Sequence, residues 1–99
     1  MRESEIQRKM LLYLKGVPNL YVVNFVGSAV TAKGTPDILC CYKGKFIAFE
    51  VKREDSSYGT TATQKARLQR IKRAGGQGFI VKSLQDVVNI IERLSDEYS

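Results

Sequence analysis

Two short apolar runs joined by Lys43-Gly44 constrain the fold of this 99-residue chain more than any other feature. The runs, Ile38 to Tyr42 and Phe46 to Val51, are rich in aromatic and β-branched residues. Apolar runs of this length that flank a glycine-containing pair predict a β-hairpin. A two-residue turn at Lys43-Gly44 would place Tyr42 opposite Lys45 and would determine every cross-strand pair further along the hairpin.

The predicted register brings two carboxylates together, because counting outward from the turn sets Asp37 opposite Glu50. Cross-strand Cβ atoms lie about 4.5–5.5 Å apart, and like charges at that distance are destabilising. A shared divalent cation would remove the conflict, since Mg²⁺ prefers carboxylate, carbonyl and phosphate oxygens. Lys52 follows Glu50 by two residues and therefore projects from the same face. The set predicts metal-dependent phosphodiester hydrolysis; an exposed Glu50–Lys52 ion pair beside an ordinary Pro-Asp turn is the alternative.

Composition limits the classes of function that fit. Lys and Arg total 16 against 10 acidic residues, a net charge of +6 that favours polyanionic partners such as nucleic acid. The absence of histidine excludes Ser-His-Asp hydrolysis and imidazole-based metal sites. Cys40 and Cys41 lie within an apolar run, so both are expected in the core of a protein from a reducing compartment. No apolar run is long enough to span a membrane, and we expect one cytoplasmic domain over residues 1–99.

Hydrophobic periodicity and turn residues predict an αβββαβα order. The crossover between the third and fourth strands predicts a mixed four-stranded sheet flanked by helices. Because the hairpin strands are apolar on both faces, helices or a partner should cover both sides of the sheet. Besides the hairpin, the predicted elements are helices at Arg2 to Lys15, Ala62 to Ala74 and Ser83 to Leu94, and strands at Leu20 to Val26 and Gln77 to Val81.

The first helix offers one more candidate acid. Glu3 lies in the middle of its apolar stripe, one turn before Ile6, whereas Glu5 points to the opposite side. A carboxylate there could reach a metal at the sheet end, or it could simply stabilise the helix N-terminus. Gln7 lies near the same face as Glu3 and is a weaker candidate.

The helix predicted after residue 61 combines a basic surface with one polar residue on its core side. Solvated helix faces usually mix both signs of charge, so an all-basic surface favours phosphate contacts. Gln64 shares the side of Leu68 and could touch the lysine or the attacking water; Thr61 and Gln64 also have capping-box spacing. The basic candidates for binding nucleic acid are Lys65, Arg67, Arg70, Lys72 and Arg73, together with Lys33 in the loop before Asp37.

Four motifs in this order resemble the motif series of VRR-NUC domains, a family of the PD-(D/E)xK nuclease superfamily with a restriction-endonuclease-like α/β fold. The motifs are Gly34-Thr35-Pro36-Asp37, Glu50-Val51-Lys52, Gln64 and Ala74-Gly75-Gly76. The resemblance implies that Asp37, Glu50 and the Val51 carbonyl bind Mg²⁺ or Mn²⁺, while Lys52 positions the water. It also gives Gln64 a role at the site and assigns a helix acid, which Glu3 fits better than Glu5.

Stand-alone members of the family look like homodimeric, structure-selective DNases that act on branched DNA such as Holliday (four-way) junctions. The resemblance therefore implies an endonuclease of this kind. A flap-type endonuclease and a non-catalytic DNA-binding module that keeps the fold are the alternatives. A sequence-specific restriction-type enzyme fits less well, because no base-reading segment fits in so short a chain. The last helix has a broad apolar surface that could be core or a subunit contact.

Overall fold

A computed structural model describes residues 3–24, 38–52 and 62–99, and these residues follow the predicted αβββαβα order. Arg2, predicted to begin the first helix, and residues 25 and 26, predicted to end the first strand, lie outside the described part. The elements are α1 (Glu3–Lys15), β1 (Leu20–Asn24), β2 (Ile38–Tyr42), β3 (Lys45–Val51), α2 (Ala62–Arg73), β4 (Gln77–Val81) and α3 (Leu84–Glu97).

The hairpin has the predicted two-residue turn. Lys43 and Gly44 both adopt positive φ, at 53° and 83°, the left-handed pair whose twist matches that of antiparallel strands. Tyr42 pairs with Lys45 and Ile38 pairs with Phe49, so the predicted register is confirmed over all five described pairs.

The sheet is mixed, as predicted, with strand order β1-β2-β3-β4. β2 is antiparallel to both of its neighbours, β1 and β3, and β4 runs parallel to β3. The parallel pair requires a crossover, and α2 lies in that connection. Both outer strands, β1 and β4, are edges of the sheet within the described residues.

One face of the sheet is closed by α1 and α3. Alternate strand residues point to this face, and most of those in β2 and β3 are nearly or fully inaccessible to solvent. Phe49 stacks on Phe79 with ring centroids 5.9 Å apart. The main buried apolar residues are Ile6, Met10 and Leu14 from α1, Ile38, Cys40, Tyr42, Ile47, Phe49, Val51 and Val81 from the sheet, and Val87, Ile91 and Leu94 from α3.

The opposite face is covered in part. α2 packs on β4 and has no fully buried residue, and it leaves the strands farther from β4 accessible. Cys41 is exposed, so the prediction that both cysteines are core is wrong for Cys41. The sequence predicted that helices or a partner cover both faces of the hairpin. Among the described residues, α2 packs on this face over β4, so over β2 the partner alternative stays a prediction.

α3 begins after the N-cap Ser83, whose Oγ accepts a hydrogen bond from the Asp86 amide at 3.2 Å. It continues to Glu97, one turn beyond the predicted end at Leu94. Val87, Ile91 and Leu94 are buried, so the core alternative for its apolar surface is confirmed for these residues. Within the described part of the chain, none of the helices combines the length and apolar character needed to cross a bilayer.

Candidate active site

Glu50 is a buried carboxylate on the α2 side of the sheet. Its neighbours Phe49 and Val51 point into the core between the sheet and α1 and α3, so strand alternation turns Glu50 toward α2. Its side chain is 8% exposed. Acidic side chains are almost never buried to this extent without polar or charged partners, and such a carboxylate marks a site of chemical interest.

Gln64 and Lys52 both contact this carboxylate. The Gln64 amide nitrogen donates a hydrogen bond to Glu50 Oε1 at 2.5 Å, and Lys52 Nζ lies 3.8 Å from the same oxygen. Lys52 is 22% exposed at its side chain, so its ammonium faces both the carboxylate and solvent. An amide and an ammonium orient the carboxylate and partly balance its charge at a point that a ligand can reach.

The position of Lys52 follows from the sheet. Its backbone N–H donates to the Val81 carbonyl at 2.8 Å, which continues the parallel pairing of β3 and β4 by one residue. The side chain therefore keeps the alternation of the strand and lies on the same face as Glu50, as predicted.

Gln64 reaches the site because two glycines let α2 approach the sheet closely. A Cβ built at Gly78 would lie 2.6 Å from Leu68 Cδ2, and one at Gly76 would lie 3.0 Å from Ile71 Cγ2. Gln64, Leu68 and Ile71 are spaced at i, i+4 and i+7 and share one side of the helix. Sequence reasoning did not single out Gly78, although a glycine inside a strand is itself a signal of close backbone approach.

Several predicted site residues lie outside the described structure. These are Asp37, Lys33 and the side chain of Glu3, whose assignments remain predictions. Thr61, the other half of the alternative capping box, also lies outside. The described residue next to Asp37, Ile38, pairs with Phe49, the residue before Glu50.

The remaining α1 candidates differ in their exposure. Glu5 is exposed, in agreement with its predicted position opposite the apolar stripe. Gln7 is a buried polar residue at 8% exposure and lies on the side of α1 that carries Ile6 and Met10. Glu5 is thereby placed away from the sheet, whereas Gln7 lies on the helix side that packs against it.

The ligand types available here are those of a hard cation. Among the described residues, no group of three or more Asp, Glu, Cys or His side chains is close enough to hold a metal ion. Glu50 carries a carboxylate and Val51 a backbone carbonyl, and both lie at the same end of β3. Oxygen donors of both kinds suit Mg²⁺ or Mn²⁺ better than thiolate-seeking metals.

α2 presents a basic surface beside this site. Lys65, Arg70, Lys72 and Arg73 are exposed and Arg67 is half-buried. No acidic residue occurs between Ala62 and Arg73, so the five positive charges are not balanced along the helix. The same helix therefore carries both the amide that contacts Glu50 and a surface that attracts polyanions.

Comparison with known proteins supports the predicted architecture. No family model matches the sequence, and no match was found among curated proteins. A solved "VRR_NUC domain protein" matches with a TM-score of 0.74 and 20% identity, over 94% of this chain and 87% of that one. A second VRR_NUC domain matches with a TM-score of 0.67 and 22% identity, over 91% and 94%.

A third solved structure is Archaeoglobus fulgidus Hjc, a Holliday junction resolvase from an archaeal hyperthermophile. It matches with a TM-score of 0.61 and 20% identity, over 81% of this chain and 67% of that one. At these identities the likeness concerns the fold. The predicted α/β architecture with its mixed four-stranded sheet is confirmed, and the chain shares the fold of VRR_NUC domains.

Proposed function

We propose that this chain is a metal-dependent endonuclease that hydrolyses phosphodiester bonds in branched DNA. The observation that carries the proposal is the buried Glu50 carboxylate, contacted by Gln64 at 2.5 Å and by Lys52 at 3.8 Å. This arrangement lies beside a helix with five positive charges and no acid. The all-basic surface of α2 beside this carboxylate distinguishes the arrangement from an isolated structural ion pair, which would need polar partners but no neighbouring positive surface.

Glu50, Asp37 and the Val51 carbonyl are the proposed ligands of Mg²⁺ or Mn²⁺, and Glu3 is a further candidate. The confirmed register supports the pairing of the two acids, because the adjacent residues Ile38 and Phe49 are cross-strand partners. When bound, such an ion supplies a Lewis acid for the phosphate and a lower pKa for the attacking water.

The chain's own residues have separate tasks. Lys52 orients the water and offsets the negative charge that develops on the phosphate. Gln64 holds one oxygen of Glu50 in a defined direction, as groups that orient a metal ligand do. Both roles rest on side chains that already contact the same carboxylate.

DNA is proposed to bind along α2. Phosphate contacts from this surface, with Lys33 as a further contact, would give strongly salt-dependent affinity: about six contacts lose roughly 10³-fold between 50 and 200 mM salt. The fold shared with a Holliday junction resolvase supports a four-way junction as substrate. Because resolving a junction needs two incisions, the active form is proposed to be a homodimer.

A cleavage assay tests this proposal. Labelled four-way, flapped, duplex and single-stranded DNAs are incubated with Mg²⁺, Mn²⁺ or EDTA. We expect metal-dependent nicking of the four-way junction, no detectable cleavage by Asp37→Asn or Glu50→Gln, and a loss of about 10²–10³-fold in Lys52→Ala. Cleavage by Asp37→Asn at the wild-type rate would refute the mechanism.

Matched variants separate chemistry from charge. Glu92→Gln removes an exposed acid, and Lys82→Ala removes an exposed lysine that directly follows β4 as Lys52 follows β3. Both should cleave like the wild type.

Stronger cleavage of flaps than of junctions would indicate a flap-type enzyme. Equal binding in EDTA without cleavage in either metal would indicate a non-catalytic binding module.

The proposed role of Gln64 has its own test. Gln64→Ala should lower the cleavage rate by about 10–100-fold, the usual cost of losing a group that orients a metal ligand. Gln69→Ala, which changes an exposed glutamine of the same helix, should have little effect. A normal rate in Gln64→Ala would show that the hydrogen bond to Glu50 is dispensable.

A further inference from the structure

The face of the sheet that carries Glu50 has an apolar half that none of the described helices covers. Tyr21 is 73% exposed and Phe46 is 46% exposed. Tyr21, Cys41 and Phe46 form one cross-strand row, and Val23 and Leu39 lie in the next. We call the surface formed by Tyr21, Val23, Leu39, Cys41 and Phe46 the open face.

The open face surrounds a shallow hollow of about 210 Å³. None of the described residues that line it carries a charge, so phosphate is not the partner that these residues favour. Contiguous exposed apolar patches of this kind usually mark protein interfaces. The chemistry therefore points to another apolar protein surface.

The open face lies lower than the surface next to it, because α2 packs on the sheet over β4. On this face β1 and β2 lie beside α2, and none of the described helices covers them. A sheet packs on another sheet at about 10 Å, so the β1–β2 half of a second copy can occupy the level beside α2. A two-fold axis through the open face would bring the same surface of both copies together.

Other surfaces fit a second copy less well. The outer side of α3 is polar, with a hydrogen bond between Gln85 and Asn89 and an ion pair between Arg93 and Glu97. Leu12 on α1 is 60% exposed but lies on a different element from the open face. The predicted alternative of an interface on α3 is thus less favourable than the open face.

The size of the open face suits the centre of a dimer interface. A covered aromatic side chain buries about 150–250 Å², so the exposed parts of Tyr21 and Phe46 alone offer roughly 200 Å². A stable interface buries about 800 Å² on each partner, with an apolar centre and a polar rim. The open face supplies apolar area of the kind found at the centre of such an interface.

We infer that the open face is the surface through which two copies of this chain associate. The inference deepens the proposed function, whose homodimer it provides with a contact surface on the same face as Glu50. It also predicts that salt affects dimerisation and DNA binding in opposite directions, because each copy carries a net charge of +6. Salt screens repulsion between copies and strengthens association, whereas it weakens DNA binding.

Light scattering during gel filtration tests the inference without DNA or metal, so its result is independent of cleavage. The wild type should show twice the 11.1 kDa chain mass, more completely at higher salt. Tyr21→Asp and Phe46→Asp should each raise the dissociation constant at least tenfold. Leu12→Asp, an equally drastic change at an exposed apolar residue, should not.

A wild type that stays monomeric at every concentration and salt level would overturn the inference. So would a Leu12→Asp variant that dissociates as readily as Tyr21→Asp. If Phe46→Asp leaves a monomer unchanged in mass but weakens binding to single-stranded DNA, the open face is a base-stacking surface and no dimer interface.

Thiol labelling gives a second readout on the unmodified chain, which has two cysteines. Burial raises the pKa of Cys40 to about 12, so its thiol stays protonated and unreactive. Cys41 lies at the centre of the open face and should react with a maleimide more slowly as protein concentration rises. A Cys41 labelling rate that does not depend on concentration would contradict a dimer through this face.

Discussion

The two faces of the sheet differ in what they bury. On one face, α1 and α3 bury a continuous apolar cluster that includes Phe49 and Val51. On the other, α2 buries none of its residues fully and holds Gln64 against the Glu50 carboxylate. Residues adjacent in sequence therefore have opposite surroundings, as Cys40 and Cys41 also show.

Along β3, residues that stabilise the core therefore alternate with residues of the candidate site. Apolar burial stabilises at about 25 cal/mol per Å², and the α1–α3 face contains most of it. The α2 face keeps a buried charge and an uncovered apolar surface, both of which lower stability and favour binding. Substitutions on the two faces should consequently have different consequences.

The largest expected effect compares two phenylalanines on opposite faces of β3. Phe49→Ala should reduce the free energy of unfolding by about 3–5 kcal/mol, because Phe49 is fully buried and its removal leaves a cavity. Phe46→Ala should cost less than about 1.5 kcal/mol, because nearly half of this side chain is already in water. Urea unfolding of dilute protein measures both, and similar losses would contradict the division between the faces.

The second effect concerns metal and stability on the α2 face. If Glu50 is a ligand, Mn²⁺ at a hundredfold excess over its dissociation constant should raise the free energy of unfolding by about 2.7 kcal/mol. Glu50→Gln should remove this gain, whereas Glu92→Gln on the surface of α3 should keep it. Thermal unfolding with and without Mn²⁺ gives the measurement. An equal gain in Glu50→Gln would place the ion elsewhere.

Features determined by local chemistry could be predicted from the sequence. Lys43-Gly44 supports the left-handed turn, and this turn alone determines the hairpin register. Gln77 to Val81 and the order of elements were correctly predicted because each segment has a clear period and clear end signals. The side of Lys52 followed from strand alternation.

Features determined by where one element lies on another could not be predicted. Cys41 was expected in the core because apolar residues occupy both faces of β2, and its exposure depends on α2 lying over β4. The contact of Gln64 with Glu50 depends on the same docking of α2. The broad apolar side of α3 was compatible with core or interface until the sheet face beneath it was known.

The smallest effect tests the docking of α2 directly. Gly78→Ala would bring a Cβ to 2.6 Å from Leu68 Cδ2, and relief of this contact should cost about 1–2 kcal/mol of unfolding free energy. Because Gln64 lies one turn before Leu68, a shift of α2 should also move Gln64 away from Glu50. The cleavage rate should therefore fall even under conditions where the variant is fully folded. Leu68→Ala in the same chain should recover part of the Gly78→Ala loss, and a double-mutant cycle in urea measures that coupling. Strictly additive losses would show that the Gly78–Leu68 contact does not determine how closely α2 approaches Glu50.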